Sequence, residues 1–134
     1  MTVLSLLQPW ATLVILGHKT IETRSWSTAY RGELMIHAGK GKSGMGFCDQ
    51  PIFKKHLHNV DLPFGAIIGV VSLDRIVQIT DLAVSDSTLN EMTLEEKIFG
   101  DYTTGRFAWI LRNPMPLDIP IPARGYQRLW QYHF

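Results

Sequence analysis

Lys19, Glu22, Arg24 and Trp26 fall close together in the stretch Gly17-His18-Lys19-Thr20-Ile21-Glu22-Thr23-Arg24-Ser25-Trp26. From Thr20 onward the residues alternate as in a strand, whose successive side chains point to opposite faces. Glu22, Arg24 and Trp26 then share one face, and Ile21, Thr23 and Ser25 the other. A carboxylate, a guanidinium and an indole make an odd core face, but a suitable floor for a small, polar, planar ligand. Two chemistries follow. The charged groups can hydrogen-bond a base edge while Trp26 stacks on the ring, a contact worth roughly 1–3 kcal/mol per base. Alternatively, a lysine beside a carboxylate in a partly dry cleft can move a proton. Spacing alone also allows an exposed ion pair worth about 0–1 kcal/mol.

A second basic group lies in Lys40-Gly41-Lys42-Ser43. It looks like the end of a Walker A loop, but the glycine such a loop needs falls at Ile36, inside a strand. A basic, glycine-rich loop after a strand suits phosphate contact without nucleotide hydrolysis. Arg31, in the turn Tyr30-Arg31-Gly32, adds to the same patch if that turn lies nearby. The histidines have no metal-ligand spacing: His56 and His58 are two apart, with no CxxC or HExxH pattern, so neither a metal nor another cofactor is expected. No G-x-S-x-G elbow is present. His37 is the histidine that its strand turns away from the inner face.

The elements that must position these residues read as follows. Residues 2–7 form a short strand. Pro9 suits the first helical position, and Trp10, Leu13 and Val14 give one apolar helical face up to Gly17, a left-handed cap. Residues 33–38 form a strand with Leu34, Ile36 and Ala38 inside, and residues 51–58 a helix with Ile52, Phe53 and Leu57 apolar. Residues 66–79 are β-branched and nearly unbroken, as in a strand buried on both faces. Gly69 within them marks a bulge or a close backbone approach, and Asp74-Arg75 a bend between two strands. Thr93-Leu94-Glu95-Glu96 is a capping-box pattern, with Gly100 ending the helix it starts. Residues 107–111 form a strand, and Trp109 and Trp130 belong to the core. Pro114, Pro116, Pro120 and Pro122 exclude a central strand, although Leu117, Ile119 and Ile121 still alternate as an edge strand would. Short strands with few, short helices predict a mixed α+β, β-barrel-like domain.

Composition narrows the function. At 134 residues and 46% hydrophobic content, residues 1–134 are expected to form a single domain. The formal net charge of +1 gives no polyanion-binding field, so any nucleic-acid contact must be local and modest. The one cysteine, Cys48, cannot form an internal disulfide, which points to the cytoplasm. The N-terminal apolar run is broken by Gln8 and Pro9 and does not read as a signal peptide. No apolar stretch approaches the ~20 residues of a membrane helix, so no membrane partner is expected. Oligomeric state is not legible.

Gly17-x-Lys19-x-x-Glu22-x-Arg24 resembles the GxKxxExR motif of the ASCH family, whose fold is PUA-like. Ser5, Gln8-Pro9-Trp10-Ala11, Ser25-Trp26 and Tyr30-Arg31-Gly32 are similar to its flanks. Gly65 to Val71 resembles its central strand. Arg112-Asn113-Pro114 and Pro122-Ala123-Arg124-Gly125 through Leu129-Trp130 resemble its C-terminal strands. The resemblance covers nearly the whole chain. It extends to the nucleic-acid-binding ASCH domain of the activating signal cointegrators and to small stand-alone bacterial members. It implies a PUA-like β-barrel with a few short helices, and a cleft lined by the motif that takes single-stranded RNA, DNA, or a free nucleoside or nucleotide. Lys19, Glu22 and Arg24 would then read the base or sugar, Trp26 would stack, and Arg31, Lys40 and Lys42 would meet phosphates. The resemblance also implies an alternative, a hydrolase with Lys19 and Glu22 as an acid–base pair, since N4-acetylcytidine amidohydrolase and ribonuclease activities occur in the family. In those amidohydrolases a threonine nucleophile stands three residues after the motif lysine. Here that position is Glu22, which cannot play the same nucleophilic part but can activate water as a general base.

Overall fold

The computed structural model describes residues 1–80 and 87–134. Its six strands are β1 (Thr2–Leu6), β2 (Ile21–Arg24), β3 (Gly32–Ala38), β4 (Ala66–Gln78), β5 (Phe107–Pro122) and β6 (Leu129–Gln131). They form one sheet in the order β2-β5-β4-β3-β1-β6, curled into a half-barrel. β1 runs parallel to β3, and the other neighbours are antiparallel. The helices are short: α1 (Trp10–Ile15), α2 (Pro51–Leu57), α3 (Ser87–Asn90) and α4 (Leu94–Phe99), with a 3-10 turn at Met45–Asp49. This is the expected mixed α+β architecture. Among the described residues no helix is long and apolar enough to cross a membrane.

The core lies on both faces of the sheet's middle strands. Leu4, Leu6, Leu34, Ile36 and Ala38 pack with Val14, Ile15 and Trp109 under α1. Val3, Met35, Ile67 and Trp130 form a second cluster. Period-2 alternation along β1 and β3 sorts the two sets, and burial on both faces explains the unbroken apolar start of β4. At six residues α1 has no stability of its own and is held by packing, with each fully buried Leu or Val worth ~1.5–3 kcal/mol.

Four local readings need correction or refinement. Pro9 occupies the N-cap of α1 rather than its first helical position, after a cis bond to Gln8. Gln8 does the capping work instead: wholly buried, its Oε1 accepts from Thr12 N at 3.0 Å while its Nε2 donates to Pro63 O at 2.8 Å. Asp74-Arg75 does not separate two strands, because β4 is continuous and the ladder slips between Leu73 and Arg75. A bulge bends a strand without ending it. Gly69 is both things its type suggested: the register shifts beside it, and an added Cβ would stand 2.6 Å from Ile15 Cδ1 and 2.7 Å from Met115 O. Finally, residues 107–111 and the proline run are one strand. β2 pairs only with Phe107 to Ile110, so the proline half of β5 is bonded on the β4 side alone, where a missing N–H is tolerated.

Candidate functional site

The start of β2 is fixed by a helix from far along the chain. Thr93 Oγ1 accepts from Glu96 N at 3.1 Å, as a capping box requires. The Glu96 carboxylate, however, turns to β2 and accepts from Thr20 N at 3.1 Å and Ile21 N at 3.0 Å. Ile21 and Thr23 are buried, so alternation presents Glu22 and Arg24 on the opposite face.

Lys19 follows Gly17, whose φ of +83° turns the chain out of α1. Its side chain is wholly buried, and its ammonium donates to Ile21 O and lies 3.4 Å from Glu22 Oε1. The other oxygen of Glu22 lies 3.3 Å from Arg24 Nη2, which also donates to Ser5 O at 3.0 Å. Glu22 is therefore clamped between an ammonium beneath it and a guanidinium beside it. Arg24 Nε is buried and has no hydrogen-bond partner.

Glu22 and Arg24 line a cleft of about 650 Å³ with Trp26, Trp10, Phe47 and Arg106. Lys19 lies below its floor, not in its wall. Trp26 stands beyond the end of β2, which stops at Arg24. It is held by Trp109, whose Nε1 donates to Trp26 O at 3.3 Å and whose ring meets the Trp26 ring edge-on at 4.9 Å. Burial, then the Glu96 and Glu22 carboxylates, push the nearby Tyr102 hydroxyl far above its ordinary pKa, so it stays protonated.

The predicted phosphate contacts separate. Lys40 lines a second cleft of about 680 Å³ with His37, Arg124, Tyr126 and Gln127. Lys42 lies over the Phe64 ring at 5.3 Å and lines neither cleft. Arg31 also lines neither, and donates at 2.7 Å to the carbonyls of Thr28 and Tyr30 in its own turn. His37 is buried between Ser5 Oγ at 2.9 Å and Ala123 O at 2.7 Å, and burial lowers its pKa despite the carbonyl's opposing pull. Among the described residues no group of three or more His, Cys, Asp or Glu could hold a metal ion.

Sequence reasoning missed Arg106, Arg124, Tyr126 and Arg128. Arg106 reaches the cleft because Phe107 pairs with Arg24, a register that no local pattern gives. The other three did leave a signal: Arg124-Gly125-Tyr126-Gln127-Arg128 sets an aromatic between two arginines.

The geometry can be set beside known proteins. Activating signal cointegrator 1 of Mus musculus is 28% identical over 137 residues, which take in 96% of this chain and 22% of that protein. The Homo sapiens protein of that name is 27% identical over the same length. The chain thus spans about a fifth of these relatives. The crystal structure of ASCH from Zymomonas mobilis superposes with a TM-score of 0.59 at 22% identity, covering 98% of this chain and 87% of that one. A mutant of that protein gives 0.58 at 21% identity, covering 98% and 89%. At this identity the likeness shows the fold, which is PUA-like. The ASCH domain family matches residues 4–121, a span that holds the GxKxxExR residues and the strands that carry them, and the chain belongs to that family.

Proposed function

We propose that this ASCH domain binds single-stranded nucleic acid, RNA in the first instance, by taking one nucleotide into the Glu22–Arg24 cleft. The reading rests on the clamped carboxylate: Glu22 is fixed between Lys19 and Arg24 at the floor of an open cleft, with Trp26 at its wall. A fixed acceptor beside a guanidinium can pair with a base edge, and Trp26 offers a face for stacking. Arg24 Nε is a buried donor without a partner, and a shift of the guanidinium that brought it to a ligand acceptor would satisfy it. The association of the ASCH family with RNA binding supports the same reading. Lys40, at the second cleft, is the lysine best placed to meet a phosphate, whereas Lys42 and Arg31 act only if the strand extends past them. Residues 1–134 work as one unit in this reading, with neither metal nor other cofactor. Titration with short single-stranded RNA tests it, with Arg24→Ala as the variant expected to lose affinity.

One observation favours a second reading, hydrolysis. Lys19 is sealed beneath Glu22, so of that pair only the carboxylate faces the cleft, where it can take a proton from water while Lys19 holds it in place. The substrates to assay are N4-acetylcytidine and short RNAs, with Glu22→Gln as the control.

A further inference from the structure

We propose that residues 124–128 form a second nucleotide subsite, continuous with the first cleft, where Tyr126 stacks on the next base and Arg124 meets its phosphate. The inference rests on the nucleotide-binding reading of the Glu22–Arg24 cleft and extends it by one residue of ligand. A third cavity of about 360 Å³ joins the two places, lined by Ser5, Arg24 and Trp26 on one side and Tyr126, Gln127 and Arg128 on the other. Cations and rings are paired at it and just beyond: Arg128 lies 5.0 Å from the Trp26 ring centre, and Arg124, which lines the neighbouring cleft of Lys40 and His37, lies 5.4 Å from the ring centre of Tyr126. Such pairing offers flat faces to bases and guanidinium forks to phosphates within one groove. Tyr126 is 55% exposed even with Arg124 over its ring and the Trp130 ring centre 5.4 Å away, so a base can reach its side chain from solvent.

The segment is held in place at both ends by one hydrogen-bond chain. Trp130 Nε1 donates to Ser5 Oγ at 3.1 Å, Ser5 Oγ lies 2.9 Å from His37 Nδ1, and His37 Nε2 lies 2.7 Å from Ala123 O. A carbonyl only accepts, so neutral His37 carries its proton on Nε2 and Nδ1 accepts from the serine hydroxyl. Gly125 lets the backbone cross this chain, since a Cβ there would stand 2.7 Å from His37 Cε1 and 2.9 Å from Ser5 Oγ. The groups at 124–128 are therefore ordered before a ligand arrives, which lowers the entropy lost on binding. The family match ends at residue 121, before this segment.

Calorimetric titration of the whole chain with a mononucleotide, a dinucleotide and a tetranucleotide of RNA tests the subsite. The dinucleotide should bind about tenfold tighter than the mononucleotide, the lower part of the range for one base stacked on an aromatic ring. In Tyr126→Ala that ratio should fall toward one, and in Arg124→Ala the salt dependence of dinucleotide binding should weaken. Both side chains are exposed, so neither change threatens folding. A mononucleotide that binds wild type as tightly as the dinucleotide overturns the subsite and leaves the first cleft standing. An unchanged ratio in Tyr126→Ala does the same. No binding by any of the three ligands overturns both.

Discussion

Glu96 Oε1 lies 3.0 Å from the backbone nitrogen of Ile21, seventy-five residues earlier, so the carboxylate of a glutamate in the first turn of α4 fixes the strand that carries the site. Its two oxygens serve Thr20 N as well, at 3.1 Å, and the Thr20 hydroxyl at 3.3 Å. Replacing Glu96 with Ala leaves these donors unpaired in a place where the side chain is buried. The expected cost is about 2–4 kcal/mol in urea unfolding. Glu96→Gln, which keeps one acceptor oxygen, should lose less. Equal stability of Glu96→Ala and wild type would contradict this role.

Lys19 carries an analogous load under Glu22. Lys19→Met removes the ammonium that Glu22 and Ile21 O share, leaving a partly buried carboxylate with Arg24 and the Thr23 N–H. A loss of about 3 kcal/mol is expected, because breaking a buried pair strands its partner. If the domain hydrolyses a substrate, Glu22→Gln should abolish turnover while affinity stays within about tenfold, a loss confined to the transition state. Equal product from mutant and wild type would remove Glu22 as the base.

Gly69→Ala should destabilise by about 1–3 kcal/mol, since the new methyl meets Ile15 and the Met115 carbonyl below 3.0 Å and backbone cannot give way cheaply. Thermal unfolding measures it, and a neutral result would mean that α1 shifts freely over β4.

Stability should also decline in mild acid. Burial lowers the pKa of His37 from its ordinary 6.5, so the native state binds a proton less readily than the unfolded chain. The stabilising contribution is complete above 6.5, falls as pH drops below that value, and levels off beneath the lowered native pKa. His18, lowered first by burial and then by His56, adds the same sign. Urea unfolding between pH 8 and about 5 should show the decline, with a shallower slope in His37→Gln. Identical slopes would assign the acid sensitivity elsewhere.

Much of this was readable from residue order because it depends on local rules. Gly17 past a helix, alternation from Ile21 to Arg24 and the Thr93 cap are each set within a few residues. Trp26 followed the alternation on paper yet lies past the end of β2, because pairing with β5 stops at Phe107. Lys19 was expected in the wall of the cleft and lies beneath it, since nothing in its neighbours shows which side of the turn is inside. Ser5 stands near Arg24, and His37 near Ala123, through contacts across strands far apart in sequence. Such contacts are set by sheet order, here with the sequence-distant β1 and β6 adjacent, which alternation alone does not specify.

In the proposed function the cleft at Glu22 and Arg24 takes one nucleotide of a single strand. Titrating the chain with single-stranded RNA over a range of salt concentrations, beside Arg24→Ala, tests it most directly. Log K should fall with log salt by about 0.7 for each phosphate contact, so a few contacts give a shallow slope. Arg24→Ala should bind about tenfold or more weakly at every salt concentration, since it loses a charge-assisted contact in the base site. Undetectable binding at low salt, or a variant that binds like wild type, would contradict the account.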